Sequence, residues 1–539
     1  MDTLHDKFYR TSDFLIGVEL VSIRGSMADK SAQRARQFAN DLVASPRIDW
    51  ISVTDNAGGN PQLGPQSLGK PILYAGKEVV IHLTCKDLNR NGLESAAWQL
   101  NSEGFHNVLA MTGDYPVSGN EGMPKPVFDI DSIGLISMLT KMNNGFADSR
   151  GGSPKTTRQL DKTEFFIGAV TTNFKLLEGE VVPQYLKLKK KVEGGAQYII
   201  NQVGYDSRKI HELRLYMDRH DMRHIPLVGN VYILNPRVAQ LFHDRNIPGI
   251  VVPSSLLELC LKQGQSQDKG LQFFCEFAAK QIAVYRNLGY RGIYLGGAHD
   301  GSVVEKILKI ESTFAPEDWR QFAREISYSR PDEFFSYAED PATGIADPAR
   351  PNSPRTTRQS NRLEIMYRFS SMTHKAIFTH GTWASSWGAK LCNSSNDPSQ
   401  GPKVMRTLEQ VSKALLYQCK DCGDCSLPDI AFLCPESQCA KNQRNGPCGG
   451  TNEGQCEVGG YGECIWLRAY ERTKRDGKEE ELLNHVPVIQ NQGLRGTSAW
   501  ANFWMGRDHS SAEKDAITTN EKKKSHTVTN QQSESGTLQ

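Results

Sequence analysis

The chain has 539 residues, of which 38% are hydrophobic and 23% charged, and its formal net charge is +2. This length exceeds what one compact domain normally holds, so two folded units and a tail are expected. A nearly balanced charge creates no global field that would attract nucleic acid or a membrane surface. The first residues show no secretory signal, and no run of about 18 apolar residues predicts a membrane span. We therefore expect a cytoplasmic protein that binds neither nucleic acid nor membrane.

Short apolar segments alternate with amphipathic helical patterns over the first part of the chain. The predicted strands are FLIGVEL (14–20), IDWISVT (48–54), VVIHLT (79–84), NVLAMT (107–112), EFFIGAV (164–170), QYIINQ (197–202), IPLVGNV (225–231) and RGIYLG (291–296). This alternation predicts an α/β fold, a (β/α)8 TIM barrel over residues 1–312. The rival fold, an open doubly wound sheet, usually carries a glycine-rich dinucleotide fingerprint after its first strand, and this chain has none there.

The remainder of the chain divides into three predicted parts. Residues 313–360 hold a short helical pattern, PEDWRQFAREI, and then a stretch rich in Pro, Asp and Arg, which together predict a connector. A small cysteine-rich metal-binding domain is expected over residues 361–505. Residues 506–539 are polar and non-periodic, which predicts a disordered tail.

Polar residues occur at the ends of several predicted strands. Glu19 lies in the first strand, His82 in the third, Asp114 just after the fourth and Gln202 at the end of the sixth. Each residue alone has an ordinary explanation, such as a solvated carboxylate or a core histidine with satisfied hydrogen bonds. Functional residues of a parallel barrel gather at the carboxyl ends of its strands, so their joint placement predicts a site there.

The motifs that carry these residues are characteristic as a set. GVE, VTDNAGG, HLTCKDLNR, NVLAMTGD, FFIGA, LKKKVEGGAQYIINQ and IPLVGN follow one another along the chain. In this order they resemble the methylenetetrahydrofolate reductase family over residues 10–312. The resemblance implies a flavin-bearing barrel that interconverts 5,10-methylenetetrahydrofolate and 5-methyltetrahydrofolate. It further implies FAD as the cofactor, although FMN stays open, and either NAD(P)H or a ferredoxin-like protein as the electron donor.

The resemblance also implies roles for individual residues. Glu19 matches the general acid that protonates N10 of the substrate, and a mostly apolar strand end can raise the pKa of such a carboxyl group. Asp114 matches a catalytic aspartate between flavin and folate, and Gln202 matches an amide that binds the pterin, so Glu19, Asp114 and Gln202 form the expected substrate site. The positions expected to contact the flavin are Thr54, Ala57, His82, Thr112, Gly113, Asp114 and Ala169, with Lys187, Lys190 and Lys191 at its phosphates. Without the resemblance, the KLKKK run would read as a solvated helix face.

The chain departs from well-studied members at several of these positions. Asp55 replaces a Tyr, Thr112 replaces an Arg of some members, and Val170 and Phe174 replace a Tyr and a His. The segment LGGAHDGS after the eighth strand shows no counterpart of a folate-contacting Arg. Folate binding is therefore expected more firmly than reduction of the flavin by a nicotinamide.

Eight of the twelve cysteines cluster between residues 419 and 464, which predicts a metal site. They are Cys419, Cys422, Cys425, Cys434, Cys439, Cys448, Cys456 and Cys464. The opening C-x2-C-x2-C is denser than a zinc ribbon, and with the later Cys-Pro it is compatible with iron–sulfur ligation, so zinc and iron–sulfur clusters both stay open. The elements CGDC, NGPCGG and QCEV resemble the C-terminal domain of some methylenetetrahydrofolate reductases and the partner subunit of acetogen-type enzymes. That resemblance implies electron delivery to the flavin or docking of an electron-donating partner.

Two other functions are compatible with the sequence. A folate-dependent methyltransferase barrel would bind folate without flavin, and a non-catalytic electron-transfer or scaffold subunit would keep only the fold. The physiological direction, toward methionine supply or toward methyl-group oxidation, stays open, as does assembly into a homo-oligomer.

Overall fold

The eight segments predicted as strands pair in parallel and close into one barrel. Around the barrel the hydrogen-bonded order is 15–20, 292–296, 227–232, 198–201, 166–171, 107–111, 78–84 and 50–53, and the last strand pairs with the first. The computed structural model describes residues 2–148, 158–245, 247–353, 361–379, 382–395 and 397–511. The strands are β1 (Leu15–Leu20), β2 (Trp50–Val53), β3 (Glu78–Thr84), β4 (Asn107–Met111), β5 (Ala147–Asp148), β6 (Arg158–Gln159), β7 (Phe166–Thr171), β8 (Tyr198–Asn201), β9 (Leu227–Tyr232), β10 (Gly292–Gly296), β11 (Tyr337–Glu339) and β12 (Ala346–Pro351). The TIM-barrel prediction is confirmed. Strands β5 and β6, and likewise β11 and β12, form separate two-stranded sheets.

Helices connect the barrel strands, as parallel pairing requires. The helices up to residue 325, of which α1 precedes the barrel strands and α11 and α12 follow them, are α1 (Leu4–Arg10), α2 (Lys30–Ala44), α3 (Pro65–Tyr74), α4 (Arg90–Ser102), α5 (Ser132–Asn144), α6 (Glu178–Glu193), α7 (Ser207–Arg219), α8 (Pro236–His243), α9 (Ser254–Gln263), α10 (Leu271–Asn287), α11 (Gly301–Glu311) and α12 (Trp319–Glu325). Many begin at an Asp or Asn whose side chain accepts a hydrogen bond from the first turn. Asn89, Asp131, Asp206, Asn235 and Asp300 do so for α4, α5, α7, α8 and α11. These caps satisfy N–H groups that have no partner within the helix and fix where each helix leaves its strand.

Large aromatic side chains fill the amino end of the barrel. The Trp50 ring lies against Gly17 on the neighbouring strand, where a Cβ atom would come within 1.9 Å of it, and Tyr198 lies in the same way over Gly168. Helix α1 adds Phe8, whose ring stacks on Tyr198 with centroids 5.6 Å apart and lies 5.7 Å from Trp50. Because aromatic packing closes this end, the carboxyl end of the barrel is where a ligand can bind.

The chain forms two compact units. The first comprises Met1–Thr356 together with Gly446–Leu467, and the second comprises Thr357–Asn445 and Arg468–Gln539. The helices after the barrel are α13 (Asn361–Ile377), α14 (Trp383–Asn393), α15 (Lys403–Tyr417), α16 (Pro435–Gln438), α17 (Ile465–Arg475) and α18 (Ala499–Trp504). Within the second unit, buried Glu409 accepts hydrogen bonds from Lys413 Nζ at 2.8 Å and Ser498 Oγ at 2.5 Å, which ties α15 to the start of α18.

The predicted domain bounds stay predictions, but the grouping adds one feature to them. The segment Gly446–Leu467, from the middle of the predicted cysteine-rich domain, belongs to the first unit. The predicted connector carries α12, β11 and β12, and its residues 354–360 lie outside the described residues. So does the predicted tail from residue 512 onward. In the described part of the chain, no helix combines the length and apolar character needed to cross a bilayer.

The packing of α1 against the amino end predicts the effect of truncating Phe8. Phe8→Ala removes a ring that is 3% exposed and contacts Trp50, Phe166 and Tyr198. We expect the free energy of unfolding of the barrel to fall by about 3–5 kcal/mol, measured by urea denaturation. The matched control is Tyr74→Ala, since Tyr74 is 75% exposed and its loss should change stability by no more than about 0.5 kcal/mol. Equal losses of stability in the two variants would contradict this account of aromatic packing at the amino end of the barrel.

Candidate active site

Glu19 lies near the carboxyl end of β1, close to tyrosine side chains of β10 and β9. Tyr294 of β10 donates its hydroxyl to Glu19 Oε1 at 3.0 Å. Burial raises the pKa of Glu19, while the Tyr294 hydroxyl and the Gly297 backbone N–H partly oppose that rise. Burial, with a smaller contribution from the Glu19 charge, raises the pKa of Tyr232 on β9 to about 12. The carboxyl group therefore keeps its proton to a higher pH than an exposed glutamic acid does.

His82 on β3 is a buried, uncharged imidazole close to the same tyrosine. Its ring centroid lies 6.2 Å from that of Tyr294. Burial, followed by the nearby charge of Lys86, lowers the pKa of His82 to about 3. Among the described residues, His82 Nε2 has no hydrogen-bond partner. An unsatisfied buried nitrogen costs about 1–3 kcal/mol, so a ligand that supplies the partner would gain from this position.

The loops after β2 and β4 meet at Asp114. The Gly58 backbone N–H donates to Asp114 Oδ2 at 2.9 Å. Next to it, Gly59 has φ of +71° and a Cβ atom there would lie 2.2 Å from the Tyr115 carbonyl oxygen, so only glycine fits. Gly113 also has a positive φ, +87°, with Thr84 directly beside it. The glycines of VTDNAGG and TGD thus let two backbone loops approach each other and fix the Asp114 carboxylate between them.

Asp55, which departs from the family pattern, takes part in a network of buried polar groups. Thr84 Oγ1 donates to Asp55 Oδ2 at 2.6 Å, and Lys86 Nζ donates to the Asp55 carbonyl oxygen at 2.9 Å and to Thr84 Oγ1 at 2.7 Å. Lys86 is 1% exposed. Its charge contributes to keeping His82 neutral. Sequence analysis did not single out Lys86, although an ionisable residue directly after a strand that carries His82 is a usable signal.

The other positions expected to line the flavin lie within barrel strands or in the loops that follow them. Thr54 Oγ1 follows β2 and accepts the Ser22 backbone N–H at 3.0 Å. The Thr112 carbonyl oxygen accepts the Cys85 N–H at 3.3 Å, and Ala169 is buried within β7. The Ala57 N–H donates to Gln62 Oε1 at 3.1 Å. Their contact with a flavin stays a prediction.

Three lysines of the KLKKK run are buried, so the solvated-face interpretation does not hold for them. Lys187, Lys190 and Lys191 are all at most 6% exposed on α6. Lys187 Nζ donates to the carbonyl oxygens of Gly446 and Pro447, both at 3.1 Å. Lys191 Nζ donates to the Val170 carbonyl oxygen, and burial, with the charge of Lys187, lowers the pKa of Lys191 to about 7. Contact of these lysines with flavin phosphates stays a prediction.

Gln202 directly follows β8 with its side-chain amide held in one orientation. Its backbone N–H donates to the Thr171 carbonyl oxygen at 2.8 Å, which continues the pairing of β8 with β7. Its Oε1 accepts the Val203 N–H at 2.9 Å. Glu19, Asp114 and Gln202 therefore lie near the carboxyl ends of their strands, and their joint role in one site stays a prediction. Tyr294 and Tyr232 were missed, because a tyrosine inside an apolar strand looks like ordinary core.

The eight clustered cysteines divide between the two units. Cys419, Cys422, Cys425, Cys434 and Cys439 belong to the second unit, and the first four are neighbours. Burial, with the charges of Cys422 and Cys434, raises the pKa of Cys425 to about 12, and the charges of Cys434 and Cys422 act likewise on Cys419. Cys448, Cys456 and Cys464 belong to the first unit. Within the described ranges, no three His, Cys, Asp or Glu side chains are arranged as a ligand set, so the metal stays a prediction.

A closed eight-stranded parallel barrel with acidic, imidazole and amide side chains at its carboxyl end defines a TIM-barrel protein with a ligand site at that face. The family described as "Methylenetetrahydrofolate reductase" matches residues 27–283, and "Methylene-tetrahydrofolate reductase C terminal" matches residues 400–492. The barrel and the cysteine-rich region of this chain thus each match a model of the methylenetetrahydrofolate reductase family.

Curated relatives agree with this family at low identity. "Methylenetetrahydrofolate reductase 2" of Schizosaccharomyces pombe is 23% identical over 182 residues, which cover 33% of this chain and 26% of that protein. "5,10-methylenetetrahydrofolate reductase" of Pectobacterium carotovorum subsp. carotovorum is 25% identical over 167 residues, or 31% and 48% of the two chains. The chain thus spans less than half the length of either relative.

Solved structures show likeness of fold only. A protein from Clostridium thermocellum, described as binding two copies of 5-methyl-5,6,7,8-tetrahydrofolic acid, is 10% identical with a TM-score of 0.41, covering 57% of this chain and 97% of that one. A 2,3-dimethylmalate lyase is 14% identical with a TM-score of 0.31, covering 59% and 90%. Likeness at this level carries no argument about function.

The hydrogen bond from Tyr294 predicts a shift in the titration of Glu19. Tyr294→Phe removes a donor that favours the carboxylate, so the pKa of Glu19 should rise further above its ordinary value. We expect the infrared band of the protonated Glu19 carboxyl, identified by its loss in Glu19→Gln, to persist to a higher pH in Tyr294→Phe. The control is Tyr9→Phe, because Tyr9 donates to the Gln197 carbonyl oxygen and is remote from Glu19. If Tyr294→Phe leaves the pKa of Glu19 unchanged or lowers it, the role given to this hydrogen bond is refuted.

Proposed function

We propose that the chain is a methylenetetrahydrofolate reductase, an oxidoreductase that uses a flavin to interconvert 5,10-methylenetetrahydrofolate and 5-methyltetrahydrofolate. The observation that carries the proposal is Glu19, a carboxyl group whose pKa is raised by burial at the carboxyl end of a barrel that matches this family. Reduction of the methylene bridge needs such an acid. The proton on N10 opens the five-membered ring and leaves an iminium cation at N5, which can then accept hydride and become the methyl group.

The surroundings of Glu19 suit proton donation. Tyr294 donates to Oε1, and the pKa of Tyr294 itself lies well above its ordinary value because of burial, so this hydroxyl stays a donor. Both named partners of the carboxyl group, the phenol and the Gly297 N–H, are neutral. A neutral, largely desolvated carboxylic acid with its orientation fixed is an effective proton donor near neutral pH.

Asp114 and Gln202 have complementary roles in this proposal. The Asp114 carboxylate, anchored by the Gly58 N–H, supplies a fixed negative charge that stabilises the cationic iminium. The Gln202 amide, with Oε1 held by the Val203 N–H, presents Nε2 to the acceptor atoms of the pterin. The Asp114 carboxylate and the oriented Gln202 amide would thus distinguish a reduced pterin from other ligands of similar size.

The residues at this face fit a flavin. The unpartnered His82 Nε2 would offer a polar atom to the flavin, and the small Ala169 adds no bulk beside it. When bound, FAD would carry the hydride between the electron donor and the folate. Lys191, whose pKa is lowered to about 7 by burial, would be held protonated by a phosphate group.

The cysteine-rich region is proposed to bind zinc or an iron–sulfur cluster. The neighbouring thiols Cys419, Cys422, Cys425 and Cys434 are the best supported ligands. Lys413 lies beside them; burial opposes its protonation, but the charges of Cys425 and Glu409 raise its pKa. A cluster would favour a ferredoxin-like donor and a zinc ion would favour NAD(P)H. A cytoplasmic location and a homo-oligomeric state stay predictions of the sequence.

Substituting Glu19 tests the general-acid role. Glu19→Gln keeps the shape of the side chain but removes the proton, so turnover of 5,10-methylenetetrahydrofolate should fall by about 10²–10⁴-fold with the flavin retained. The measurement is single-turnover reoxidation of the reduced flavin by the folate. The control is Glu78→Gln. Glu78 lies at the amino end of β3, away from the proposed site, and accepts a hydrogen bond from Asn107. Normal turnover by Glu19→Gln would refute the role, and a colourless wild-type protein would favour a methyltransferase.

Metal analysis of anaerobically purified protein tests the thiol site. Cys425→Ser removes one of four neighbouring thiols and should lower the bound zinc or iron by at least about half, because a three-thiolate site is incomplete. Cys260→Ser is the control, since Cys260 is a buried cysteine of α9 in the first unit. Absorption from an iron–sulfur chromophore would select the cluster, and its absence with stoichiometric zinc would select the ion. Equal metal content in Cys425→Ser and wild type would exclude Cys425 as a ligand.

A further inference from the structure

We propose that the segment Gly446–Leu467 forms one wall of the folate pocket and that Lys175 is the positioning residue that holds it there. The identity of the ligand as a folate rests on the function proposed above. The placement of the segment rests on hydrogen bonds within the first unit, to which both the segment and the barrel belong.

Two buried ammonium groups of the barrel are satisfied by backbone carbonyls of this segment. Lys175, which is 2% exposed, donates from Nζ to the Gly449 oxygen at 2.6 Å and to the Thr451 oxygen. Lys187 donates to the carbonyl oxygens of Gly446 and Pro447. A buried ammonium group without acceptors costs several kcal/mol, so the segment is a required part of this region and not an accessory loop.

Further contacts fix the segment along its length. The Gly454 N–H donates to Glu180 Oε1 at 3.0 Å, and Glu180 is itself buried on α6. Arg330 donates to Asn452 Oδ1 at 3.3 Å, and Arg245 pairs with Glu453 at 2.6 Å. Within the segment, the backbones of Asn452 and Gln455 bond to each other in both directions at 3.0 Å. The segment therefore has a turn of its own and several independent attachments to the barrel.

The same segment reaches the amide that is expected to bind the pterin. Gly249 has φ of +81°, and a Cβ atom placed on it would lie 3.2 Å from Gln202 Nε2 and 3.3 Å from the Gly449 carbonyl oxygen. The Gln202 amide and the Gly449 carbonyl oxygen thus both lie next to the same glycine. A Cβ atom on Gly449 would lie 3.2 Å from Thr172 Cγ2, just after β7. The Gly449 peptide therefore borders the carboxyl end of the barrel beside Gln202.

Lys175 links these two observations. Its ammonium group holds the Gly449 carbonyl oxygen, and that oxygen is the atom that faces Gly249 next to Gln202. Loss of the ammonium group would free the Gly449 peptide and change the width of the pocket where the pterin amide site lies. Lys175 would act through the segment and would not touch the substrate, so its loss should weaken folate binding more than it slows the chemical step.

The test compares Lys175→Met with Lys77→Met in the full-length protein. Lys77 also donates to two backbone carbonyls, those of Ser45 and Ile48 at 2.9 and 2.8 Å, but near the amino end of the barrel. We expect the Kd for 5-methyltetrahydrofolate, measured by calorimetry, to rise at least about tenfold in Lys175→Met. KM should rise more than kcat falls, and amide exchange within 446–467 should accelerate. Lys77→Met should leave the Kd and the exchange of that segment unchanged.

A second pair of variants covers the case in which Lys175→Met does not fold. Gly249→Ala wedges a methyl group between Gln202 and Gly449, while Gly289→Ala imposes a similar backbone strain, φ of +78°, with its nearest atom 3.9 Å away. Weaker folate binding in Gly249→Ala, without weaker binding in Gly289→Ala, supports the inference. If the wild-type protein binds folate and Lys175→Met leaves the Kd unchanged, the inference is overturned. Should Lys175→Met not fold, an unchanged Kd in Gly249→Ala overturns it in the same way. If the wild-type protein binds no folate, the proposed function is overturned instead. That conclusion holds whatever the amide exchange of segment 446–467 shows.

Discussion

Burial of lysine ammonium groups is the constraint on which the functional end of the barrel depends. Lys86, Lys175, Lys187, Lys191 and Lys209 are each at most 5% exposed. A charge removed from water is tolerated only when oxygen atoms surround it, and here most of those oxygens are backbone carbonyls. Lys86 donates a hydrogen bond to the Asp55 carbonyl oxygen, Lys191 donates to that of Val170, and Lys209 donates to that of Phe334. Each bond pins a loop or a strand end, so the charges determine the shape of the site as well as its potential.

The buried Lys86 and the acid Glu19 have different neighbours in this site. Lys86 lies next to His82 and helps to keep that imidazole uncharged. Glu19 is surrounded differently, by a phenol and a backbone N–H, so burial dominates and its pKa rises. A lysine in the position of Tyr294 would instead favour the carboxylate and remove the proton that the reaction needs. The choice of neutral partners for Glu19 is therefore as important as the acid itself.

The fold could be predicted from local patterns because each barrel strand is an apolar run bounded by turn residues. The first predicted strand, 14–20, differs from Leu15–Leu20 by one residue, and the last, 291–296, differs from Gly292–Gly296 by one. The hairpin of β11 and β12 was not predicted, because its stability comes from α7. Arg208 donates to the Tyr337 carbonyl oxygen and Glu212 Oε1 accepts the Tyr337 N–H, and neither partner is visible in the Pro-rich sequence.

The candidate site was predictable where motifs carry it and not where distant contacts do. Glu19, Asp114 and Gln202 stand within recognisable motifs at strand ends. The burial of Lys187 could not be read from KLKKK, because its acceptors lie more than 250 residues further along the chain. In the same way, the spacing of eight cysteines suggests one metal module, yet the fold assigns Cys448 to the barrel unit, where its sulfur accepts the Gly450 N–H at 3.5 Å. A cysteine-rich sequence can thus serve two purposes, since its thiols can form a site in one unit while its glycines supply the backbone that completes a pocket in the other.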